Sequence, residues 1–596
     1  MKRQFQLFTT VLVLVLSLHT HSWAQSAAPI TAEMAQRIDA VFANWDNTRS
    51  PGCAVGVSQN GNPVYSRGYG MSNLEYDIPI TPDSIFNVAS ISKQFTAFSV
   101  ALLASDGKLS LDDDIRRYLP EVPDYGQRIT IRHLLTHTSG LRNAGSLLDL
   151  AGWRVSDENT GATFAASPLK EPETEDDVLR MTARQKSLDF VPGAEYVYNN
   201  GGYTLLAVVV KRVSGQSLRD FAEARIFGPL GMRDSQFLDD PNMIVRRRTS
   251  AYRPPPGGGW RIHIPVSRIV GHTGLYTTVG DLLKWEQNFV DARVGGRALL
   301  DDMQTFGRLN DGLTINYGFG LFLGVYRGLR LVGHGGEHDG YLSFVGRFPD
   351  QRLAIAVLCN GSTIDPGGLS RRVAEIFLGS GALAPVAPLA PAAPVGETEI
   401  AALAGTYWNP ITEQIRRFVM TDGKLVNQAN SNALIPLGGG RFRLGGMELL
   451  FPPQKTGAPQ EIHIPPPTFQ APFSCRSWSG NCGGPWSEHA VFSRVLVPSY
   501  TATDLQAYAG EYRSDELDVS YTVVAMPEGG LAVLRKKVDP VSLTVVTLDK
   551  FSGQSLGTTV TFVRAPSGDV TGFTIAGGDP RRVSFTRVGL ASSTGK

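Results

Sequence analysis

The stretch Ser90-Ile91-Ser92-Lys93-Gln94-Phe95-Thr96-Ala97-Phe98-Ser99-Val100-Ala101-Leu102-Leu103 begins with a serine and a lysine three residues apart and continues as an apolar run of helical character. On a helix, positions i and i+3 share a face, so the Lys93 amine can reach the Ser90 hydroxyl. Alone, Ser-x-x-Lys decides nothing, because a chain of 596 residues holds roughly one such match by chance. Its surroundings decide. Upstream, Met34, Ile38, Val41, Phe42 and Trp45 recur at helical spacing, and the strand-like runs Cys53–Ser58 and Pro63–Tyr69 flank the turn Asn60-Gly61-Asn62. Downstream the chain reads as irregular to about Asn200, helical to Phe227 and strand-like from Leu331 to Leu358. Strands at both ends with helices between predict an α/β (α+β) arrangement, one antiparallel sheet whose N- and C-terminal strands are neighbours under a helical cover.

Four further stretches stand in a telling order. They are His137-Thr138-Ser139-Gly140-Leu141 after Leu134-Leu135, Tyr198-Asn199-Asn200 after Pro192-Gly193, Gly215-Gln216-Ser217-Leu218 leading to Pro229-Leu230-Gly231-Met232, and His334-Gly335-Gly336. With Ser90-x-x-Lys93 and the Asp-Leu-Leu-Lys-Trp core of Thr278–Trp285, this set resembles the penicillin-recognising serine hydrolases, the superfamily of class C β-lactamases, D-alanyl-D-alanine carboxypeptidases and D-aminopeptidases. The resemblance covers about residues 30–380 and implies a β-lactamase-like fold.

It also implies roles. A serine hydroxyl is a poor nucleophile and needs a base as it attacks a carbonyl. Lys93 can serve if burial keeps it neutral against an ordinary pKa near ~10.4. Tyr198 can serve as a phenolate held by ammonium neighbours. Which takes the proton first is open in the sequence. By the resemblance, Asn200 aims its amide at the substrate's acyl side chain, the backbone N–H groups of Ser90 and Glu337 form the oxyanion hole, and His334, Gly335 and Gly336 line the substrate strand. His334 departs from the family's frequent Lys-Thr-Gly. Neutral histidine beside glycine makes a weaker anion site at pH 7, which argues against carboxylate-directed β-lactamase action and for the branch of D-aminopeptidases, esterases and small-peptide hydrolases. Three readings follow: hydrolysis of small peptide amides, with D-residue-containing or linearised cyclic peptides among the candidates; a carboxylesterase or weak β-lactamase; or a penicillin- or peptidoglycan-binding protein that turns over negligibly.

Other residues weigh less. His133 and His137 read as turn-stabilising, Glu337 as a solvated carboxylate or a partner for a substrate ammonium, and His334 with His338 lacks the pattern of a metal site. No cofactor motif is present. Two segments could shape specificity. One is Arg142 to about Glu173, long for its interval; the other is Pro465–Trp486, which either reaches over the Ser90 pocket, as an appended-barrel loop does in related D-aminopeptidases, or is a stapled surface loop.

Lys2 and Arg3 before the apolar run Leu7–Leu18 and Ser22-Trp23-Ala24 read as a signal peptide, residues 1–24, too short to span a bilayer, so a periplasmic or secreted protein without stable membrane insertion is expected. The formal charge is +1, and −1 without residues 1–24, so nucleic acid is not an expected partner. Oligomeric state carries no signal. The catalytic domain is read as 25–380. Prolines at 385, 388, 391 and 394 mark a linker, 381–397. Beyond it the chain repeats: Leu403-Ala404-Gly405-Thr406-Tyr407 returns as Tyr508-Ala509-Gly510-Glu511-Tyr512, and Phe492-Ser493-Arg494-Val495 as Phe585-Thr586-Arg587-Val588. Alternating runs and glycine turns make these two small antiparallel barrels, 398–497 and 498–591. The first is longer, with the extra length before its last strand, where Cys475 and Cys482 are read as a disulfide loop. Cys53 and Cys359 are read as buried apolar side chains.

Overall fold

The computed structural model describes residues 30–157, 162–165, 173–385, 393, 395–464, 491–553 and 558–589, except 256, 264, 266, 446, 528, 536–537 and 578. The strands β1 (Cys53–Gln59), β2 (Asn62–Tyr69), β3 (Phe322–Tyr326), β4 (Leu329–His338), β5 (Tyr341–Phe348) and β6 (Leu353–Cys359) form one antiparallel sheet in the order β3-β4-β5-β6-β1-β2. The first and last strands in sequence, β1 and β6, are thus central neighbours. Both read as near-continuous apolar runs because both sheet faces are covered. Val55, Val57, Ile355 and Val357 face a core shared with Ile38 and Phe42 of α1 (Ala32–Phe42) and Val373 of α5 (Pro366–Leu378). Ala54, Ala356 and Leu358 face the other way, into a core with α2 (Ser92–Ser105), α3 (Asn200–Ser214) and α4 (Val279–Asp291). Helix α2 is buried continuously from Ser92 to Leu103, surrounded on every face.

Two expectations are corrected. Cys53 and Cys359 form a disulfide. They are register partners on β1 and β6, and a sequence separation of 306 hid a pairing that the sheet order creates. The interval before Asn200 is not merely irregular either. It holds the helices Ile131–Leu135, Ala144–Leu150 and Glu175–Ala183, each N-capped by a threonine or asparagine side chain and too short to show a clear period.

C-terminal to the sheet lie two antiparallel barrels. The first is a nine-stranded sheet from Gly405 to Val495, nearly closed, its edges being the consecutive strands Asn432–Ala433 and Ile435–Gly438. The second closes eight strands from Gly510 to Gly589. The repeated residues do the same work in both. Tyr407 donates to Leu403 O at 2.8 Å and Tyr512 to Tyr508 O at 2.7 Å, while Arg494 and Arg587 reach back to the carbonyls of Ala402 and Ala507. Cys475, Cys482 and Pro465–Trp486 lie outside the described residues, as do residues 1–24. Among the described residues no helix is long and apolar enough to cross a membrane.

The second barrel is bolted to the helical region. Arg142, 3% exposed, donates to Glu516 and, at 2.9 Å, to Gln185, and lies 3.5 Å from Asp189. Arg581 forms a two-pronged pair with Glu195 at 2.9 and 3.1 Å, and its backbone N–H donates to Asp189 at 2.7 Å. Burial and the charge of Asp189 drive the pKa of the Asp579 carboxyl well above the usual carboxylate range.

Candidate active site

Ser90 sits on a tight turn, Ala89–Ile91, at the head of α2. Ala89 adopts φ 47°, a left-handed conformation costly for a residue with a Cβ, and the Asn87 side chain holds it there by accepting the Ala89 N–H at 2.8 Å. Strand β4 passes directly beside this turn. A Cβ on Gly336 would lie 2.2 Å from Val88 O, and Ser343 of β5 donates to that same carbonyl at 2.9 Å. Glycine is therefore required at 336, and Glu337, the next residue, is carried alongside Ser90.

One turn of helix later, Lys93 is fully buried, with Nζ 2.9 Å from Ser90 Oγ, 2.8 Å from Asn200 Oδ1 and 3.0 Å from His272 O. No carboxylate among the described residues pairs with it, and burial holds its pKa well below the ordinary lysine range. The amide and backbone oxygens can only accept, so the two N–H bonds of a neutral amine go to them and its lone pair faces the Ser90 hydroxyl. Gly320, at φ 70°, lets the loop before β3 run against the Lys93 backbone, where a Cβ would meet the Lys93 carbonyl at 2.7 Å.

The Tyr198 ring lies over the same amine, 4.7 Å from Nζ to its centroid. Its hydroxyl is sealed from solvent and finds no acceptor among the described residues; burial raises its pKa above the ordinary phenol value, against a smaller lowering by hydrogen bonding from Ser90. It is thus a protonated phenol. Asn199 caps α3 by accepting the Gly202 N–H at 3.0 Å, which sets Asn200 as the first helical residue. Its amide oxygen is committed to Lys93, so what Asn200 can offer a substrate is its NH2.

His137, at φ 58°, turns the loop that the sequence marked as structural. Its Nδ1 accepts the Asn199 N–H at 3.0 Å and its ring lies 4.3 Å from that of Tyr198, which makes it a support for the Tyr-x-Asn segment. His133 closes a capping box with Thr130.

His334 is 1% exposed, and burial with the nearby Lys93 lowers its pKa to about 3, so it is neutral. Nδ1 faces Gly335 O at 2.5 Å, which can only accept; Nε2 therefore accepts from the Tyr317 hydroxyl at 3.1 Å. Both ring nitrogens are engaged within the protein, and the anion site that lysine would supply is absent from this position. Glu337 is solvent-exposed, although neighbouring atoms desolvate its carboxyl enough to raise its pKa against a lowering by Arg253. His338 lies 3.5 Å from Asp339, and among the described residues no group of three His, Cys, Asp or Glu could hold a metal.

Three contributors escape the sequence reading: Tyr317, the His272 carbonyl and Tyr203, whose hydroxyl anchors on Leu135 O at 2.7 Å. For Tyr317 a trace existed in the aromatic-glycine run Tyr317-Gly318-Phe319-Gly320. A backbone carbonyl leaves none.

An antiparallel sheet against helices, with a serine and a buried lysine on the first turn of the central helix and a tyrosine over that lysine, defines a serine hydrolase of the β-lactamase-related type. The chain belongs to the Beta-lactamase family, which it matches over residues 34–377. It is 30% identical over 323 residues to penicillin-binding protein 4* of Bacillus subtilis (strain 168), covering 51% of this chain and 67% of that protein. It is 32% identical over 321 residues to a D-aminopeptidase of Brucella anthropi, covering 53% of this chain and 57% of that protein, less than two thirds of its length. The octameric penicillin-binding protein homologue from Pyrococcus abyssi shares the fold, with a TM-score of 0.52 at 24% identity over 72% of this chain and 97% of that one.

Proposed function

We propose that the protein cleaves amide bonds of small peptides or peptide-like substrates through an acyl-serine intermediate, in the periplasm or outside the cell. The observation that carries this is the buried Lys93 amine 2.9 Å from Ser90 Oγ, its pKa pushed well below the ordinary lysine range by burial with no carboxylate beside it among the described residues. As Oγ attacks the carbonyl, its proton passes to the Lys93 lone pair, and the developing oxyanion is held by backbone N–H groups of Ser90 and Glu337. Lys93 is thereby the first base. Tyr198, a phenol whose O–H finds no acceptor among the described residues, is suited to protonate the leaving nitrogen, and the proton on Lys93 then passes to the phenolate, which restores both groups. Water then hydrolyses the ester in a second cycle through the same groups.

Neutral His334 in place of a lysine favours substrates without a carboxylate beside the scissile bond, and the D-aminopeptidase relative makes an N-terminal D-residue the first candidate. The apolar run Leu7–Leu18 and the Cys53–Cys359 disulfide both suit an oxidising, exported setting. The test is turnover of D- and L-aminoacyl anilides, a short peptide, a p-nitrophenyl ester and a chromogenic cephalosporin beside the Ser90→Ala variant. Anilide or peptide cleavage lost in the variant supports the proposal. Cleavage of the ester alone points to an esterase, and labelling of Ser90 without turnover to a penicillin-binding protein, the reading that the Bacillus relative favours.

A further inference from the structure

At the end of the sheet away from Ser90, between α4 and the strands, lies a cavity of about 460 Å³ lined by Arg297, Arg330, Arg347 and Arg352, with Glu286 and Asp301 as its acids. We propose that it binds a small polyanion, a dicarboxylate or a phosphate, as a site separate from the catalytic one. Arg330 is the second residue of β4 and His334 lies four residues along the same strand, which at about 3.3 Å per residue separates the cavity from the Ser90 site by roughly 13 Å.

The arginines do not cancel against the acids. Arg347, on β5, is 4% exposed; its Nη1 pairs with Glu286 at 2.8 Å, its guanidinium stacks 3.6 Å above the Phe289 ring, and its Nη2 finds no acceptor among protein atoms. Glu286 likewise leaves its second oxygen without a donor. Arg297 spends two N–H groups on the carbonyls of Phe289 and Val290 at the end of α4 and sits 3.5 Å from Asp301. Arg330 and Arg352, both exposed, have no carboxylate partner among the described residues. Four guanidinium groups against two carboxylates leave a positive excess around a concave space of ligand size. Planar, multidentate donors of this kind select carboxylate and phosphate oxygens over halides.

The experiment is isothermal titration of the full chain with succinate, with inorganic phosphate and with neutral succinamide, repeated on the double variant Arg330→Gln/Arg352→Gln. Both arginines are exposed, so the fold should persist, and unchanged hydrolysis at Ser90 by the variant confirms that. Saturable binding of succinate or phosphate, roughly tenfold or more weaker in the variant, with succinamide inert, supports the site, and the tighter of the two anions names its class. Equal binding by both proteins, or no binding of either anion, overturns it.

Discussion

Lys93 and Arg142 are both cations buried within a few per cent of completely, and the molecule treats them in opposite ways. Arg142 is met by Glu516 and Asp189, with Gln185 and Ser187 taking further N–H bonds, so its burial is compensated and it locks the second barrel to the helical region. Lys93 is met only by uncharged oxygens, so burial pulls its pKa well below the ordinary lysine range and favours the free amine. A buried cation with carboxylates is a fastener. A buried cation without them is a base. The cost of burying charge is the same physics in both places, and the partners decide whether it is offset or converted into reactivity.

The difference can be broken by removing each cation in turn. Lys93→Met should lower kcat/KM for a cleavable anilide roughly 10²–10⁴-fold while changing the melting temperature little, because it strands two uncharged acceptors, Asn200 Oδ1 and His272 O, but no buried charge, and relieves the burial of an amine. Arg142→Met should do the reverse. It leaves Glu516 and Asp189 buried without their cation and should cost about 3–5 kcal/mol in denaturant unfolding, and a smaller loss would show that the network contributes little.

Proton linkage sharpens the contrast. His334 has a folded-state pKa near 3 against an ordinary value of 6.5, so the unfolded chain binds the extra proton first as pH falls. Stability should therefore drop with acidification between about 6.5 and 3, and His334→Gln should flatten that part of a melting-temperature profile. The smallest expected effect is that of Tyr317→Phe, which removes the donor to His334 Nε2 and should cost about 1 kcal/mol in the same unfolding measurement.

The legible parts of the molecule are those whose chemistry is local in sequence. Ser90 and Lys93 share one helical turn, Tyr198 and Asn200 one helix start, and the barrels announce themselves because the same tyrosine and arginine close each copy. What depends on distant partners was hidden. Cys53 read as apolar because its strand is apolar, and only the sheet order sets Cys359 opposite it. Arg142 and Glu516 are 374 residues apart, with no motif around either. The neutral state of His334 follows from burial against Lys93 and Tyr317, although its identity alone already spoke against a strong anion site.

The most direct test of the account is a pH titration of the Lys93 side chain by 13C NMR on lysine-labelled protein, assigned by difference from Lys93→Met. The account predicts a midpoint well below the ordinary lysine value of ~10.4, so that the amine is neutral at pH 7. A midpoint at or above that value would make Lys93 an ammonium beside Ser90 and remove it as the base.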